Sequence, residues 1–402
     1  MRPDLEPIAP LLEERHRELA REVGGFAEEH LAPLPAPDGD QAARVAAREI
    51  LTLLGEHGWC RWAVPAAYGG AVAEVDLVAC CLIREALAAA SPLADSVFAL
   101  QCLGSMPLVL AGGDEVRKKW LPRVARGEAM AAFAMTEPEA GSDVRSLGTR
   151  ARTVDGGYRI DGRKTLITNA GVADFYSVFA AHNDEAAASS PDDGRSRISC
   201  FVVPATAEGL AFAGPQVVSE PHPLGEIELD GCRVGEESRL GDEGRGFRLG
   251  MDTLDRLRAT VAAAACGMAA RALAESLRRV EERRQFGRPL SGFQLVQSKL
   301  AWMATELTAA RLLTYRAATE GGGDGDGDGA DLTLRSAMAK LYATEAAQRI
   351  VDQAVQIHGG GGVLADSMVD RLYRAVRALR IYEGTSEIQQ LVIARRLLAD
   401  GG

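Results

Sequence analysis

The spacing of apolar residues along the chain changes twice, and this change constrains the fold more than any other feature. From the start to about residue 130, Ala, Leu, Glu and Arg dominate in a manner typical of helices. After Phe133 the pattern changes: apolar and polar residues alternate in segments such as 158–162, and segments 175–181 and 198–203 follow, which predicts strands and turns. The helical spacing returns at residues 241–246. The sequence therefore predicts helices, then a small β region, then helices again.

The C-terminal region has the pattern of a helix bundle. Apolar residues share one helical face in each of two long segments: Leu254, Leu257, Val261, Ala264 and Met268 in the first, and Val296, Leu300, Met303 and Leu307 in the second. A third long helix should begin near Leu332 and end at about His358, and a fourth should follow it. Long amphipathic helices in series are typical of an antiparallel bundle.

The length of 402 residues indicates more than one domain, because a single core rarely grows beyond about 250–300 residues. We predict a multidomain α+β protein in three parts. Residues 1–130 should form an N-terminal all-α domain, residues 131–242 a central small β-barrel or β-sandwich domain, and residues 243–402 a C-terminal four-helix bundle.

Composition narrows the range of functions and compartments. The net charge of −11 disfavours nonspecific binding to nucleic acid or to an anionic membrane. No apolar run approaches the roughly 20 residues that a helix needs to cross a bilayer. Seven cysteines without a Cys-x-x-Cys pair, and six histidines without a His-x-x-x-His pair, argue against disulfides and a metal centre. We therefore expect reduced thiols, no metal and a cytoplasmic location.

Two polar, glycine-rich or small-residue segments are expected to be loops. Residues 183–197 should connect two strands, and residues 321–331 should connect two bundle helices. The string Asp324-Gly-Asp326-Gly-Asp328-Gly329 matches the first half of a calcium loop. Arg335 stands where such a loop has its bidentate glutamate, so a solvated connector is the favoured interpretation.

Four short strings contain the residues best suited to chemistry. They are Phe-Ala-Met-Thr-Glu-Pro-Glu-Ala-Gly-Ser-Asp (133–143), Arg-Arg-Gln-Phe-Gly (283–287), Gln-Ile-His-Gly-Gly (356–360) and Ile-Tyr-Glu-Gly-Thr-Ser-Glu (381–387). In the last, Gly384 allows a ligand to approach the backbone, and Glu383 beside it can remove a proton. Taken singly, each string is also compatible with an ordinary turn or helix end. The His-Gly-Gly-Gly run resembles an esterase oxyanion loop, but no Gly-x-Ser-x-Gly nucleophile motif accompanies it.

Together and in this order, the four strings resemble the acyl-CoA dehydrogenase family, and the resemblance covers nearly the whole chain. It implies FAD-dependent α,β-dehydrogenation of an acyl-CoA thioester to the trans-2-enoyl-CoA, as in fatty acid metabolism. Glu383 would abstract the α-proton while the flavin accepts the β-hydride. Some family members carry the catalytic glutamate at the helix position of Leu257. An apolar residue there leaves Glu383 as the only base that the resemblance places.

The resemblance also implies FAD as the cofactor and assigns it a set of binding residues. These are Phe133, Met135, Thr136, Gly141, Ser142, Leu166, Ile167, Thr168, Arg283, Gln285, Phe286, Phe293, Gln294, Gln356, Gly359, Gly360, Thr385 and Glu387. Leu166 stands where the family commonly has an aromatic residue over one flavin face. Leucine excludes water but cannot stack, so the flavin potential, oxygen access or electron acceptor could differ here.

The substrate-binding residues that the resemblance implies are Ser142, Asp255, Arg258, Tyr382 and Gly384, with Asp255 and Arg258 in the opening turn of the first bundle helix. The implied partners are an acyl-CoA, an electron-transferring flavoprotein as acceptor, and identical subunits in a homotetramer built as a dimer of dimers. A small Ala99 leaves room for a longer or branched acyl chain. An acyl-carrier-protein thioester as substrate, a flavin oxidase on the same scaffold, and a noncatalytic binding protein remain as alternatives.

Overall fold

The structure is a computed structural model that describes residues 3–182, 197–320 and 329–399. The chain folds into two compact units, each built from segments that are distant in sequence. The first, here called the helical unit, comprises Met1–Pro35, Asp76–Asp95 and Asp255–Gly402. The second, here called the mixed unit, comprises Ala36–Val75 and Ser96–Leu254.

Ten α-helices are present in the described ranges, together with several short 3-10 turns. The α-helices are α1 (Glu14–Phe26), α2 (Gly39–Glu56), α3 (Leu77–Ala90), α4 (Pro92–Ala111), α5 (Asp114–Ala125), α6 (Gly246–Glu282), α7 (Gln294–Glu320), α8 (Gly329–His358), α9 (Met368–Leu379) and α10 (Ser386–Ala399). The mixed unit contains strands β1 (Ala131–Ala134), β2 (Arg150–Val154), β3 (Gly157–Thr168), β4 (Phe175–His182), β5 (Ile198–Pro204), β6 (Leu210–Pro215), β7 (Leu224–Gly235) and β8 (Arg239–Leu240). A small hairpin of β9 (Arg284–Gln285) and β10 (Arg288–Pro289) follows α6.

The eight strands of the mixed unit form one sheet in the order β6-β7-β3-β2-β4-β5-β8, with β1 also paired to β4. Neighbours are antiparallel except that β1 and β2 run parallel to β4. Every residue of β4 is buried. Its residues alternate between two apolar clusters, with Phe175 and Phe179 in one and Tyr176 and Val178 in the other. Because both faces are covered, the strand reads as a continuous apolar run instead of an alternating one.

The helical unit contains the C-terminal bundle. Helices α7 and α8 are antiparallel, since Lys299 near the start of α7 bonds Gln353 near the end of α8, and Glu306 bonds Arg349 at 2.7 Å. Helix α8 also packs against α9 and α10. The predicted third bundle helix therefore exists, and the predicted fold class of N-terminal helices, a central β region and C-terminal helices is confirmed. The three domain boundaries stay a prediction.

Two sequence-based expectations need correction. Helix α6 begins at Gly246, so Asp255 and Arg258 lie in its third and fourth turns and not in its opening turn. The helix continues through Gly250, where an added Cβ would lie 2.4 Å from the Met135 methyl group. Of the connector predicted at 321–331, residues 329–331 belong to α8.

The remaining parts of these loop predictions lie outside the described residues. Residues 321–328, with the calcium-loop string, and residues 183–196 of the predicted inter-strand loop belong to this group.

The expectation that no apolar run is long enough to cross a bilayer was wrong as to length. Among the described residues, α4 and α6 each contain an 18-residue window that is apolar enough. In these windows 83% and 78% of the residues are buried inside the protein, as in core helices of globular domains. Length and composition alone therefore give weak evidence for a membrane span.

Helix α3 lies at the centre of the helical unit, and all of its residues are buried. Its Glu85 accepts hydrogen bonds from Arg311 Nε at 2.7 Å and from Tyr315 Oη at 2.8 Å, which compensates for burying a carboxylate. Helix α6 approaches the same turn closely, since a Cβ on Gly267 would lie 2.1 Å from the Glu85 carbonyl oxygen. The close packing of α3 and α6 therefore depends on a glycine at this position.

We expect Gly267→Ala to destabilise the protein by about 1–3 kcal/mol, because the added methyl group forces two helix backbones apart. The matched control is Gly25→Ala in α1, where an added Cβ meets nothing within 4 Å. That change should be neutral or should stabilise by up to about 1 kcal/mol through helix propensity. Thermal unfolding followed by circular dichroism measures both. An equal melting temperature for the two variants would contradict the assigned contact.

Candidate active site

The loop between α9 and α10, residues 380–385, has an unusual backbone; we call it the Glu383 loop. Glu383 and Gly384 both have positive φ angles, 54° and 90°. A glycine suits this position, because a φ of 90° is strained for other residues and an added Cβ would lie 2.5 Å from Gln389 Nε2. Holding a glutamate in the left-handed region costs on the order of 1–3 kcal/mol, and such strain concentrates at functional sites. The loop therefore has a conformation that its surroundings must hold in place.

Three side chains hold the two carbonyl groups of this strained pair. Lys340 Nζ donates to the Gly384 carbonyl at 2.6 Å, and Gln389 Nε2 donates to the same oxygen at 2.9 Å. Gln389 Nε2 also lies 3.3 Å from the Glu383 carbonyl, and Arg258 Nε lies 3.5 Å from it. The donors come from α8, α10 and α6, so the bundle itself sets the direction of both peptide groups.

The Glu383 carboxylate is placed to act as a base. Its Oε2 is buried and has no hydrogen-bond partner among the described residues. Burial raises the pKa of Glu383, and the cations Arg84, Lys340 and Arg258 oppose this effect. An unpartnered buried acceptor with a raised pKa is suited to receive a proton from a ligand.

A buried ion pair lies beside this carboxylate. Arg84 donates from Nε to Asp95 Oδ1 at 2.7 Å and from Nη2 to Asp95 Oδ2 at 2.9 Å, and its Nη1 donates to Thr260 Oγ1 at 2.9 Å. Asp95 raises the pKa of Glu383, whereas Arg84 lowers it. Sequence reasoning missed both residues. The available signal for Arg84 was the charged pair Arg84-Glu85 inside the otherwise apolar sequence of α3.

Arg258 and Asp255 form a second ion pair under the Glu383 loop. Arg258 Nη1 donates to Asp255 Oδ1, and the other Asp255 oxygen accepts a hydrogen bond from Thr333 Oγ1 at 2.6 Å. Arg258 is only 4% exposed. The structure therefore brings this predicted pair next to Glu383, with the guanidinium engaged by its own carboxylate and by the loop backbone.

Predicted cofactor residues of the helical unit form two groups. Thr385 Oγ1 accepts the Ile388 N–H at 3.3 Å at the start of α10, where Glu387 is exposed in the first turn. The other group lies near the ends of α6 and α8, where Arg279 approaches the His358 carbonyl at 3.5 Å. This second group is exposed or partly exposed and comprises Arg283, Gln285, Phe286, Phe293, Gln294, Gln356, Gly359 and Gly360.

Phe286 is the most distinctive member of that second group. It lies at the tip of the β9–β10 hairpin with a φ of 52° and is 93% exposed. Its ring centroid is 6.1 Å from that of Phe293, over which Arg288 stacks at 4.1 Å. A strained, exposed aromatic residue next to arginines is an arrangement suited to a ligand or a second chain.

In the mixed unit, the segment after β1 is fixed to β3. Buried Lys164 donates to the Met135 carbonyl at 3.1 Å and to Glu137 Oε1 at 2.7 Å. The Thr165 N–H donates to the Thr136 carbonyl at 3.0 Å. Burial lowers the pKa of Lys164 to about 8, an effect that Glu137 opposes. The predicted hydroxyl group of Thr136 is therefore carried on an anchored backbone.

Leu166 lies in a bulge of β3, where the pairing register with β7 shifts between Lys164 and Ile167. Its φ is 55°, its side chain is 56% exposed, and its N–H donates to Gln216 Oε1 at 2.7 Å. Ile167, by contrast, is 1% exposed and belongs to the apolar core. The bulge thus presents an apolar side chain at the position assigned to the flavin face.

The other predicted residues of the mixed unit differ in how accessible they are. Met135 is 5% exposed, so it and Ile167 can offer a ligand their backbone more readily than their side chains. Thr136, Phe133 and Thr168 are partly exposed, and Gly141 and Ser142 are exposed. A Cβ on Gly141 would meet nothing within 4 Å, so the chain is open on that side.

The residues present fit the FAD that the resemblance implies. The mixed unit offers hydroxyl groups and an apolar side chain on a strained bulge, as the edge and face of a flat heteroaromatic ring require. The helical unit offers guanidinium and amide groups, together with Gly359 and Gly360, where a Cβ would meet nothing within 4 Å. Guanidinium groups suit a pyrophosphate because their planar fork pairs with its oxygens.

Comparison with protein families gives matches along most of the chain. The acyl-CoA dehydrogenase N-terminal domain matches residues 13–128, the middle domain matches residues 132–232, and the C-terminal domain matches residues 244–398.

Individual relatives match over almost their full length. The probable acyl-CoA dehydrogenase fadE25 of Mycobacterium leprae is 37% identical over 390 residues, which cover 96% of this chain and 96% of the relative. The caffeyl-CoA reductase-Etf complex subunit CarC of Acetobacterium woodii is 34% identical, with 95% of this chain and 97% of the relative covered.

Solved structures agree with this grouping. An acyl-CoA dehydrogenase complexed with FAD from Bacillus anthracis has a TM-score of 0.86 at 29% identity, covering 97% of this chain and 67% of that one. The prolyl acyl carrier protein oxidase AnaB has a TM-score of 0.84 at 29% identity, covering 96% and 99%. The chain therefore belongs to the acyl-CoA dehydrogenase family and is an FAD-dependent oxidoreductase that acts on CH–CH bonds.

Proposed function

We propose that this enzyme dehydrogenates an acyl-CoA thioester to the trans-2-enoyl-CoA, with Glu383 as the base. The observation that supports this role best is the buried, unpartnered Glu383 Oε2 on a strained loop. The α-proton of a thioester is only weakly acidic, so its removal needs an oriented base and a stabilised enolate oxygen. FAD, when bound, supplies the redox chemistry by accepting the β-hydrogen as hydride.

The Glu383 loop offers a donor for the enolate oxygen as well as the base. The carbonyl groups of Glu383 and Gly384 accept hydrogen bonds from Lys340, Gln389 and Arg258. The Glu383 N–H donates to none of the described residues. This N–H, next to the base and not used by a described residue, would be a donor for developing negative charge. The substrate-binding set of Ser142, Asp255, Arg258, Tyr382 and Gly384 is part of the same proposal.

Both units are proposed to contribute residues that bind FAD. In the mixed unit, Thr136, Ser142 and Thr168 would hydrogen bond the flavin, and Leu166 would cover one of its faces. In the helical unit, Arg283, Gln285, Gln294 and the backbone at Gly359–Gly360 would hold the pyrophosphate and adenosine. The exposed or partly exposed position of these residues supports both assignments, and the anchored backbone at Met135 and Thr136 further supports the one in the mixed unit.

We expect Glu383→Gln to retain FAD and to lose roughly 10²–10⁴-fold in turnover, because the amide cannot accept the α-proton. The measurement is the rate of flavin bleaching by acyl-CoA under anaerobic conditions, with the flavin content read from the visible spectrum. Glu18→Gln, the same chemical change at an exposed position of α1, is the control and should bleach at the wild-type rate. Unchanged bleaching in Glu383→Gln would refute the assigned base.

A second candidate function is the oxidation of a carrier-protein thioester with oxygen as acceptor. Two observations favour keeping it: the exposed, nonaromatic Leu166 at the position assigned to the flavin face, and the similarity to AnaB, which is named as an acyl carrier protein oxidase. For the leading proposal, an electron-transferring flavoprotein is the acceptor, and the relative CarC is named as a subunit of an Etf complex.

One set of assays separates these possibilities. We expect an acyl-CoA from a panel of chain lengths to bleach the flavin, and aerobic turnover without an added acceptor to consume little oxygen. Addition of an electron-transferring flavoprotein should then restore turnover. Two results would favour the second candidate. The flavin would be bleached only by an acyl-carrier-protein thioester, or oxygen uptake would match substrate consumption.

We also propose that the enzyme is a cytoplasmic homotetramer. Most large apolar side chains that are exposed belong to the helical unit, as expected for surfaces covered by other subunits. They include Leu277, Phe286, Leu295, Trp302, Leu312, Tyr373, Ile381, Leu391, Leu397 and Leu398. Trp302 and Tyr373 also line a cavity of ≈ 520 Å³. The seven cysteines are buried and unbridged, which fits a reducing compartment.

Charged residues within this apolar surface should weaken subunit association. We expect Leu295→Glu combined with Trp302→Glu to shift the sedimentation coefficient to a smaller species, since these side chains are 82% and 67% exposed. Val217→Glu is the matched control, because Val217 is 72% exposed in the mixed unit. A wild-type protein that sediments as a monomer, or equal dissociation of both variants, would contradict the proposal.

A further inference from the structure

We propose that Lys340 is a positioning residue for the base: its ammonium group fixes the Gly384 carbonyl and keeps the neighbouring Glu383 ionised. This inference rests on the proposed function, in which Glu383 takes the substrate proton. Lys340 lies in α8, outside the four motif strings, and is 1% exposed. A buried lysine of this kind needs a reason, because burying an ammonium group without an anion is costly.

The first part of the role is geometric. Lys340 Nζ and Gln389 Nε2 both donate to the Gly384 carbonyl, at 2.6 and 2.9 Å. A carbonyl oxygen has two lone pairs, so this one is fully occupied. These two contacts fix the peptide group that directly follows Glu383 and Gly384, whose φ angles are 54° and 90°. Lys340 thus helps to hold the strained pair of residues.

The second part of the role is electrostatic, and it depends on all charged groups that face Glu383. They are Arg84 of α3, Asp95 of α4, Arg258 of α6, Lys340 of α8, and the Tyr382 phenol of the Glu383 loop. Three of them are cations, whose effect on the pKa of Glu383 decreases in the order Arg84, Lys340 and Arg258, and they differ in whether another carboxylate already pairs with them.

Two of the three cations are already paired with another carboxylate. Arg84 makes two hydrogen bonds to Asp95, and Arg258 is bonded to Asp255. Lys340 has only the neutral Gly384 carbonyl as a partner among the described residues that surround it. No carboxylate among these residues forms a hydrogen bond with its ammonium group.

The remaining carboxylate near Lys340 is occupied elsewhere. Glu345 Oε1 accepts hydrogen bonds from Arg380 Nε at 2.7 Å and from Ser386 Oγ at 2.6 Å. Glu383 is accordingly the strongest attraction that Lys340 experiences, ahead of Glu345, whereas Arg258 repels it. Burial lowers the pKa of Lys340 to about 8, and the Glu383 charge opposes that decrease. Each group thus supports the charged form of the other.

A pH dependence of turnover follows from this pairing. Burial already raises the pKa of Glu383, and Lys340 is among the cations that limit the rise. Removing the cation favours the protonated carboxyl group, so the pKa should rise further. The enzyme then loses its base at a higher pH, and the acid limb of the kcat/KM profile moves upwards. A purely structural lysine would change the height of the profile and leave the position of this limb unaltered.

The test compares Lys340→Met and Lys340→Gln, which lose the charge, with Lys340→Arg, which keeps it. Glutamine retains a donor for the Gly384 carbonyl, so it separates the electrostatic role from the geometric one and provides a second variant if methionine prevents folding. We expect the acid limb of both uncharged variants to move upwards by about 1–3 pH units, the usual effect of an opposite charge nearby. Lys340→Arg should keep the wild-type limb. Lys299→Met, which removes a lysine from α7, controls for the change in net charge and should also leave the limb unchanged.

A second measurement does not require turnover. Difference infrared spectroscopy against Glu383→Gln identifies the carbonyl band of the protonated Glu383 carboxyl group, and titration of that band gives its pKa directly. We expect the band to titrate at higher pH in Lys340→Gln than in the wild-type holoenzyme. A band and an acid limb that stay at the wild-type pH in both uncharged variants would overturn the inference. If the wild-type enzyme instead shows no bleaching by any thioester, the proposed function fails, while the infrared titration still decides the pairing of Lys340 with Glu383.

Discussion

The part of the helical unit around the candidate active site depends on one constraint: Glu383 is partly buried and has a left-handed backbone conformation. The backbone strain and the desolvation of the carboxylate both oppose this arrangement. They are offset by donors on the Glu383 and Gly384 carbonyl groups and by three cations around the carboxylate. Because these groups come from α3, α6, α8 and α10, the conformation can exist only after the bundle has assembled.

Several other buried charges in the described residues form close pairs. Arg84 is paired with Asp95, Glu85 with Arg311 and Tyr315, and Lys164 with Glu137. Complete pairs satisfy the charge that they bury and rigidify what surrounds them. Glu383 differs from these pairs, since one of its oxygens is left without a partner among the described residues. Natural sequences break the rule of full polar satisfaction mainly at functional sites, which agrees with the proposed role of this carboxylate.

Residues with a strained backbone, and some exposed apolar side chains, occur in the same segments as the sequence motifs. Four non-glycine residues in the described ranges have a positive φ: Leu166, Phe286 and Glu383 are predicted site residues, and Asn169 directly follows the predicted residue Thr168. Leu166 and Phe286 are also among the most exposed large apolar side chains. A folded chain gains nothing by presenting strained apolar groups to water, so a bound cofactor or subunit is the natural reason for them.

Much of this molecule could be predicted from the order of its residues. Periodicity determined the succession of helices, strands and helices, because the repeats of 3.6 and 2 residues are local properties. The four motif strings determined the family and its cofactor, because each is contiguous in the chain. Local patterns did not give the correct start of helix α6. Asp255 and Arg258 were predicted in the opening turn of the first bundle helix, although α6 begins nine residues before Asp255, at Gly246.

Only the tertiary structure decided which charges meet at Glu383. Arg84, Asp95, Lys340 and Gln389 come from separate helices and belong to no recognisable string around the base. Their effect depends on distances and burial that sequence spacing does not contain. The chain alone therefore specifies that a glutamate follows Tyr382 and precedes a glycine. Its ionisation and direction follow from the packing of helices whose residues are far apart in the chain, because electrostatic interactions and hydrogen bonds act between neighbours in space.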